Sequence, residues 1–537
     1  MEEETDQVSL GSRFRARLFV YPILFLLLVG ILFLWSSRLT IADNFVRSEL
    51  DKLGIEASYE IEDIGLRKQI IRDLVIGDPN APDLTADLVE IGNSLGTDGA
   101  GINWVSARGV KAFGRLKDGK LSFGALDKFS DPEDDSPLAL PDIALILEKA
   151  QLRIDSDYGA VGLSLNGQGN LHDGFKGELA ALSKNLDLGS CAMADSSYFG
   201  EVAINDRKLG LNGPLRFKAV KCPDLDLSTQ DMGVQLSIIL GQDFRSWSGD
   251  AGISSGALRY SGYRAKEMRS TVAFTGDLKR SSGNIDLTLG GLNSPYGRAD
   301  NGRVSGPFQI GYGDGPITAR FDGQSEIRSA QIAKSMLKQT AAMVTSTDGT
   351  PVGPITKKLA TALRKAGRAL DLSGDVRFDM GATGTKLAIN AFDARSRSGG
   401  KVALDNPILL TFTGKDVKML AEGGLLLNGG GFPRARIDLN DGSLSRGFSG
   451  NVKIAAYQAG AAKLNIPSLS FSPSSGGGTN FDGRLILSGP LADGQVTGLQ
   501  LPINGNFGSG GFALFRKCVD LQFASLRIAS FIAGPTR

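Results

Sequence analysis

From Gly54 onward the dominant pattern in the chain is a period of two. In VGLSLNG, Val161, Leu163 and Leu165 alternate with Gly162, Ser164 and Asn166. In NIDLTLGGL, Ile285, Leu287 and Leu289 alternate with Asp286 and Thr288. Ile437 and Leu439 sit between Arg434, Arg436, Asp438 and Asn440, and Phe481, Leu485 and Leu487 stand opposite Asp482, Arg484 and Ser488. Each window reads as a strand with one apolar and one wet face. Turn signals such as DGK (118–120), NDGS (440–443) and ADGQ (492–495) fall between such windows, about 10–14 residues apart, as in an antiparallel meander. Glycine supplies the turns: 70 of 537 residues, against a usual ~7%.

A strand with one apolar face needs a surface to cover it. Some 500 residues at ~12 per strand and turn give roughly 40 strands. Little else is available to cover them. Residues 329–345 place Ile332, Met336, Leu337, Ala341 and Val344 on one helical stripe. A second helix opens at Pro354 and repeats Ile355, Leu359, Leu363, Ala366 and Leu370, with Lys357, Lys358, Arg364, Lys365 and Arg368 on its other face. This hairpin covers apolar sheet, gates a binding groove, or lies on an anionic membrane surface. The sheet must otherwise cover itself, as stacked sandwiches, a solenoid, or one long sheet rolled into a gutter. A solenoid needs a sharp repeat and sandwiches need similar blocks near ~100 residues; neither is present. The gutter remains.

The run Leu18–Trp35 holds 18 residues without a charge, about 27 Å as a helix and near the thickness of a bilayer core. Arg13, Arg15 and Arg17 precede it and only Arg38 follows closely, which places the N-terminus in the cytoplasm and the rest across the membrane. The rival, a cleaved signal peptide, lacks a small-x-small site after the run. Residues 40–54 read as a short amphipathic helix. In an oxidising compartment Cys191 and Cys222 form a bridge or remain two buried thiols, and Cys518 is left over, its partner expected beyond Arg537.

The remaining chemistry is sparse. Lys+Arg number 59 and Asp+Glu 58, which argues against a nucleic-acid partner. One histidine, His172, and three cysteines leave little for a metal, a cofactor or a catalytic triad. GYGDG (311–315) and GSGG (508–511) open no helix, so the phosphate cradle is missing. Asp131, Glu133 and Asp135 lack the glycine and distal glutamate of a calcium loop. No enzyme, no cofactor and no metal are expected.

The fold class expected is mostly β: one N-terminal transmembrane helix, then an elongated twisted antiparallel β-groove with one internal helical hairpin. The segments run as a cytoplasmic tail (1–17), an anchor (18–37), an N-terminal module (38–128), an acidic linker or loop (129–142), β-groove (143–325), the helical hairpin (326–372) and a Gly-rich β-groove (373–537). The block ASYEIEDIGLRKQIIRDLVIGDPNAPDLTADLVEIG (57–92), behind an anchor and a short helix, resembles the opening module of the AsmA-like bacterial envelope proteins, in particular the YdbH and TamB branch. The Gly-rich part from about 420 is similar to the YdbH-type domain.

What this resemblance implies is a bridge-like lipid transfer protein, anchored by a single pass in the bacterial inner membrane with its bulk in the periplasm. Phospholipid would move between inner and outer membranes along a hydrophobic floor, with no catalytic residues. YdbH-like members run longer than this chain, so a truncated C-terminus is expected. Floor positions are then Val161, Leu163, Leu165, Ile285, Leu287, Leu289, Ile437, Leu439, Leu485 and Leu487; the competing reading makes each a packed core residue. Partners are phospholipids and the inner membrane, with outer-membrane or periplasmic proteins besides. The alternative function is an anchored scaffold or chaperone for outer-membrane protein assembly.

Overall fold

The computed structural model describes residues 50 and 52–536, apart from 65–67, 97–98, 119, 130–139, 314, 414–415, 422–423, 444–446, 475–477, 492, 509–510 and 515–518. The anchor run, most of the 40–54 segment, Asp131, Glu133, Asp135 and Cys518 lie outside the described residues. Among those described, no helix is long and apolar enough to cross a membrane.

The described chain is mostly β, with 33 strands. It also carries helices α1 (Lys334–Ser346) and α2 (Gly353–Ala366). It divides into two units. The first comprises Met1–Ser261, Glu267–Gly283 and Gly311–Pro316; the second comprises Gly262–Lys266, Asn284–Ile310 and Ile317–Arg537.

In the first unit, strands Ala57–Ile64, Lys68–Asp78 and Ala81–Gly96 pair antiparallel in sequence order. The next two, Gly99–Arg108 and Lys111–Lys117, lie end to end along Ala81–Gly96 and are joined at Gly109, whose φ of 66° suits glycine. Both then pair parallel with Ala144–Ser156. A purely antiparallel sheet was the expectation, and this joint departs from it. Parallel neighbours need a long crossover, and residues 118–143 supply one.

That crossover lays Phe123 and Leu126 over the strands, at 3% and 0% exposure, and the Ala125 N–H donates to Asp83 at 2.8 Å. With Val105, Leu145 and Leu147 they form a closed, fully buried core. Beyond it the strands run simply up and down: Val161–Asn170, Phe175–Asp187, Ala192–Asn205, Lys208–Cys222, Leu227–Leu240, Ser246–Ser255 and Glu267–Asp277.

In the second unit, Thr318–Ile332 pairs antiparallel with Leu370–Gly381, and α1 and α2 are inserted between these two neighbours. Ile332 and Leu370, placed on helical stripes by the sequence, are strand residues that close the two ends of the insertion. The ladder continues through Gly384–Ser396 and, further on, Ala435–Ser443, Gly447–Ala459, Ala462–Pro473, Thr479–Leu491 and Gly494–Gly508.

Candidate functional site

The two faces of each sheet differ in chemistry. In the first unit one rung runs Leu163–Ala181–Tyr198–Leu215–Val234–Ile253 across six strands. Every member is half-buried. The rung on the opposite face runs Asn166–Glu178–Glu201–Asn212–Ser237–Asp250, and every member is exposed. The apolar face of these strands is therefore the more shielded of the two.

The second unit repeats the arrangement. Phe321, Phe378, Leu387 and Leu410 form one rung, and Leu425, Ile437, Val452 and Leu469 another. Its other face is ionic. Arg320 faces Asp379 across the strands at 2.5 Å, and Arg377 donates to Asp322 on the next rung but one. Arg303 donates to Asp286 and holds that carboxyl below the usual carboxylate range. These pairs are exposed, so each contributes little to stability. Their effect is to fix which side stays wet.

Helix α2 lies on the apolar face near one end of the strands. Ile355, 4% exposed, packs with Tyr457, Ala459, Ala462 and Leu464, which neighbour one another across strands Gly447–Ala459 and Ala462–Pro473. Lys358 donates to the Gln458 carbonyl at 2.7 Å with its ammonium 4.6 Å from the Tyr457 ring centre. Burial pushes the Tyr457 hydroxyl pKa up. Lys357, Arg364 and Lys365 are exposed on the same helix.

Of the ten floor positions read from the sequence, Val161, Leu163, Ile285, Leu287, Leu289, Ile437, Leu439 and Leu485 are half-buried. Leu165 and Leu487 are fully buried, at 7% and 5% exposure. Leu165 belongs to the closed core, and Leu487 is the cross-strand neighbour of Leu464 beneath α2. Cys191 immediately precedes strand Ala192–Asn205 and Cys222 ends its neighbour Lys208–Cys222, with their sulfurs bonded at 2.05 Å. His172 sits in the turn between Val161–Asn170 and Phe175–Asp187, where its carbonyl accepts from Arg207. No group of His, Cys, Asp or Glu suited to a metal occurs among the described residues.

The sequence reading missed the hydroxyls. Ser196, Tyr198, Thr229 and Ser270 carry buried side-chain oxygens with no hydrogen-bond partner. Tyr198 lies over Gly200: a Cβ added there would come within 2.5 Å of the phenol oxygen. Desolvation pushes the Tyr198 pKa up. A serine on an alternating strand gives no sign of its facing unless the register is known.

Such a face can hold long apolar molecules with their polar ends in water. Compared with models of known families, residues 25–533 match the YdbH-like model, described as intermembrane phospholipid transport protein YdbH. A comparison with curated proteins finds no match.

Proposed function

We propose, for a chain that belongs to the YdbH-like intermembrane phospholipid transport family, that the apolar face is the path along which phospholipid acyl chains travel. In this reading residues 18–37 anchor the protein in the bacterial inner membrane, and the sheets stand in the periplasm with the N-terminus in the cytoplasm. The observation that carries the path is the series of half-buried apolar rungs in each unit.

The energetics need only continuity. An acyl chain in water costs about 0.8 kcal/mol per CH₂. A floor of Leu, Val, Ile and Phe lowers that barrier while headgroups stay hydrated at the rim. Helix α2 interrupts the open floor at Tyr457 and Ala462, so lipid passing that point must go beside the helix or displace it.

The test is native mass spectrometry of the full chain after exchange into a lipid-free detergent and addition of a defined diacyl phosphatidylglycerol. Several lipids per chain are expected, with fewer on Leu287→Asp at unchanged thermal stability. A folded, monodisperse chain that takes up no lipid would sink this function.

A further inference from the structure

The unpartnered hydroxyls are not scattered. All four among the described residues fall in the first unit. Ser196 shares a rung with Ser183, Phe217 and Met232, and the rung after next holds Tyr198, Leu215, Val234, Ile253 and Ser270. Thr229 lies three positions before Met232, toward the same strand ends. Those are the ends that carry the Cys191–Cys222 bridge. Ser196, Thr229 and Ser270 are 7%, 5% and 7% exposed.

At the opposite strand ends the same face is hydrocarbon throughout. Phe175, Ile204, Leu209 and Leu240, exposed by 0%, 1%, 4% and 5%, there belong to the closed core. The face is thus graded across the strands, apolar along one margin and hydroxyl-bearing along the other. A buried hydroxyl without a partner is destabilising, so four in one band need a cause.

We propose that this band receives the ester region of a diacyl phospholipid, with the acyl chains lying over the half-buried Leu215, Val234 and Ile253 of the neighbouring rung. The inference rests on the transport reading and adds how the lipid is oriented. A turn about one side-chain bond swings each Ser or Thr hydroxyl without moving the backbone. The donors are neutral, and their rung neighbours Phe217, Met232, Leu215, Val234 and Ile253 carry no charge. Neutral ester carbonyls match them; a phosphate in the same place would lack a cation.

The test uses the full chain and a phosphatidylglycerol carrying a photoreactive group beside its ester, with the dialkyl ether analogue as control. In the Ser196→Ala, Thr229→Ala, Ser270→Ala triple variant, cross-linking to peptides spanning 183–270 should fall at least about three-fold. Its urea midpoint should hold or rise, because three unpaired hydroxyls are gone. The ether analogue should cross-link to the wild-type chain at the reduced level. Tyr198→Phe, which removes one oxygen, provides the same comparison if the triple variant folds poorly. Ester-probe yields equal to wild type in both variants, or equal yields of ester and ether probes on the wild-type chain, overturn the site alone. No lipid on either protein overturns the transport reading and the site with it.

Discussion

Truncating one leucine from each kind of apolar surface separates an open floor from a packed core. Leu236 stands on the apolar face of the first unit, flanked on its rung by Gly213 and Ala251. Leu145 lies in the closed core of the same unit at 2% exposure. A buried Leu→Ala change costs about 2–5 kcal/mol because transfer energy and a cavity add; Leu145→Ala should cost about 3 kcal/mol. Leu236 is half-buried, so roughly half of the ~1.5–3 kcal/mol for a full side chain is at stake, and an open face leaves no cavity. Leu236→Ala should therefore cost about 1 kcal/mol. With a urea slope near ~3 kcal/mol/M the midpoints should drop by about 1 M and 0.3 M respectively. Urea unfolding of the full chain, followed by a fluorophore in the first unit, reads both. Equal losses at the two sites would refute the open-floor reasoning.

Other outcomes follow from single contacts. Cys191→Ser should cost about 3–4 kcal/mol by releasing a loop of 31 residues, and reductant should shift the wild-type urea midpoint but not that of the variant. Ile355→Asp should free α2 from Tyr457 and Ala462, seen as amide exchange over 353–366 at least about ten-fold faster with the strands elsewhere still protected. Asp286 has a depressed pKa, so its pairing with Arg303 stabilises the fold above the ordinary carboxylate pKa near ~3.9, and that contribution is lost as pH falls through the lowered value. The small deficit of Asp286→Asn should thus be present at neutral pH and vanish in strong acid, measured as the difference in thermal midpoint across that range.

Alternation made the strands and their faces legible. Ile285, Leu287 and Leu289 could be assigned one side because a polar residue separates each pair, and the same holds at Ile437 and Leu439. The pattern does not encode what covers a face. Leu165 and Leu163 look identical in sequence, yet only Leu165 lies within the closed core, a distinction set by which chain segments fold over it. The parallel joint was equally hidden, because the crossover through Phe123 and Leu126 reads as a loop. Ile332 and Leu370 carried a helical period by coincidence of spacing at strand ends. The hydroxyl band depends on alignment across several strands, which no single strand contains.

The up-and-down order of the strands bears on how such a protein is made. From Val161 to Asp277 the pairings join strands that follow closely in sequence, so each hairpin closes over a short separation. Local closure favours fast folding. A chain made from its N-terminal end can add one hairpin at a time to an edge already formed, each new strand covering the exposed amides of the last. The 118–143 crossover is the exception, because Ala144–Ser156 needs both earlier strands in place. The long-range parallel closure of this unit thus comes at Ala144–Ser156, and the strands after it each add to a near neighbour in sequence.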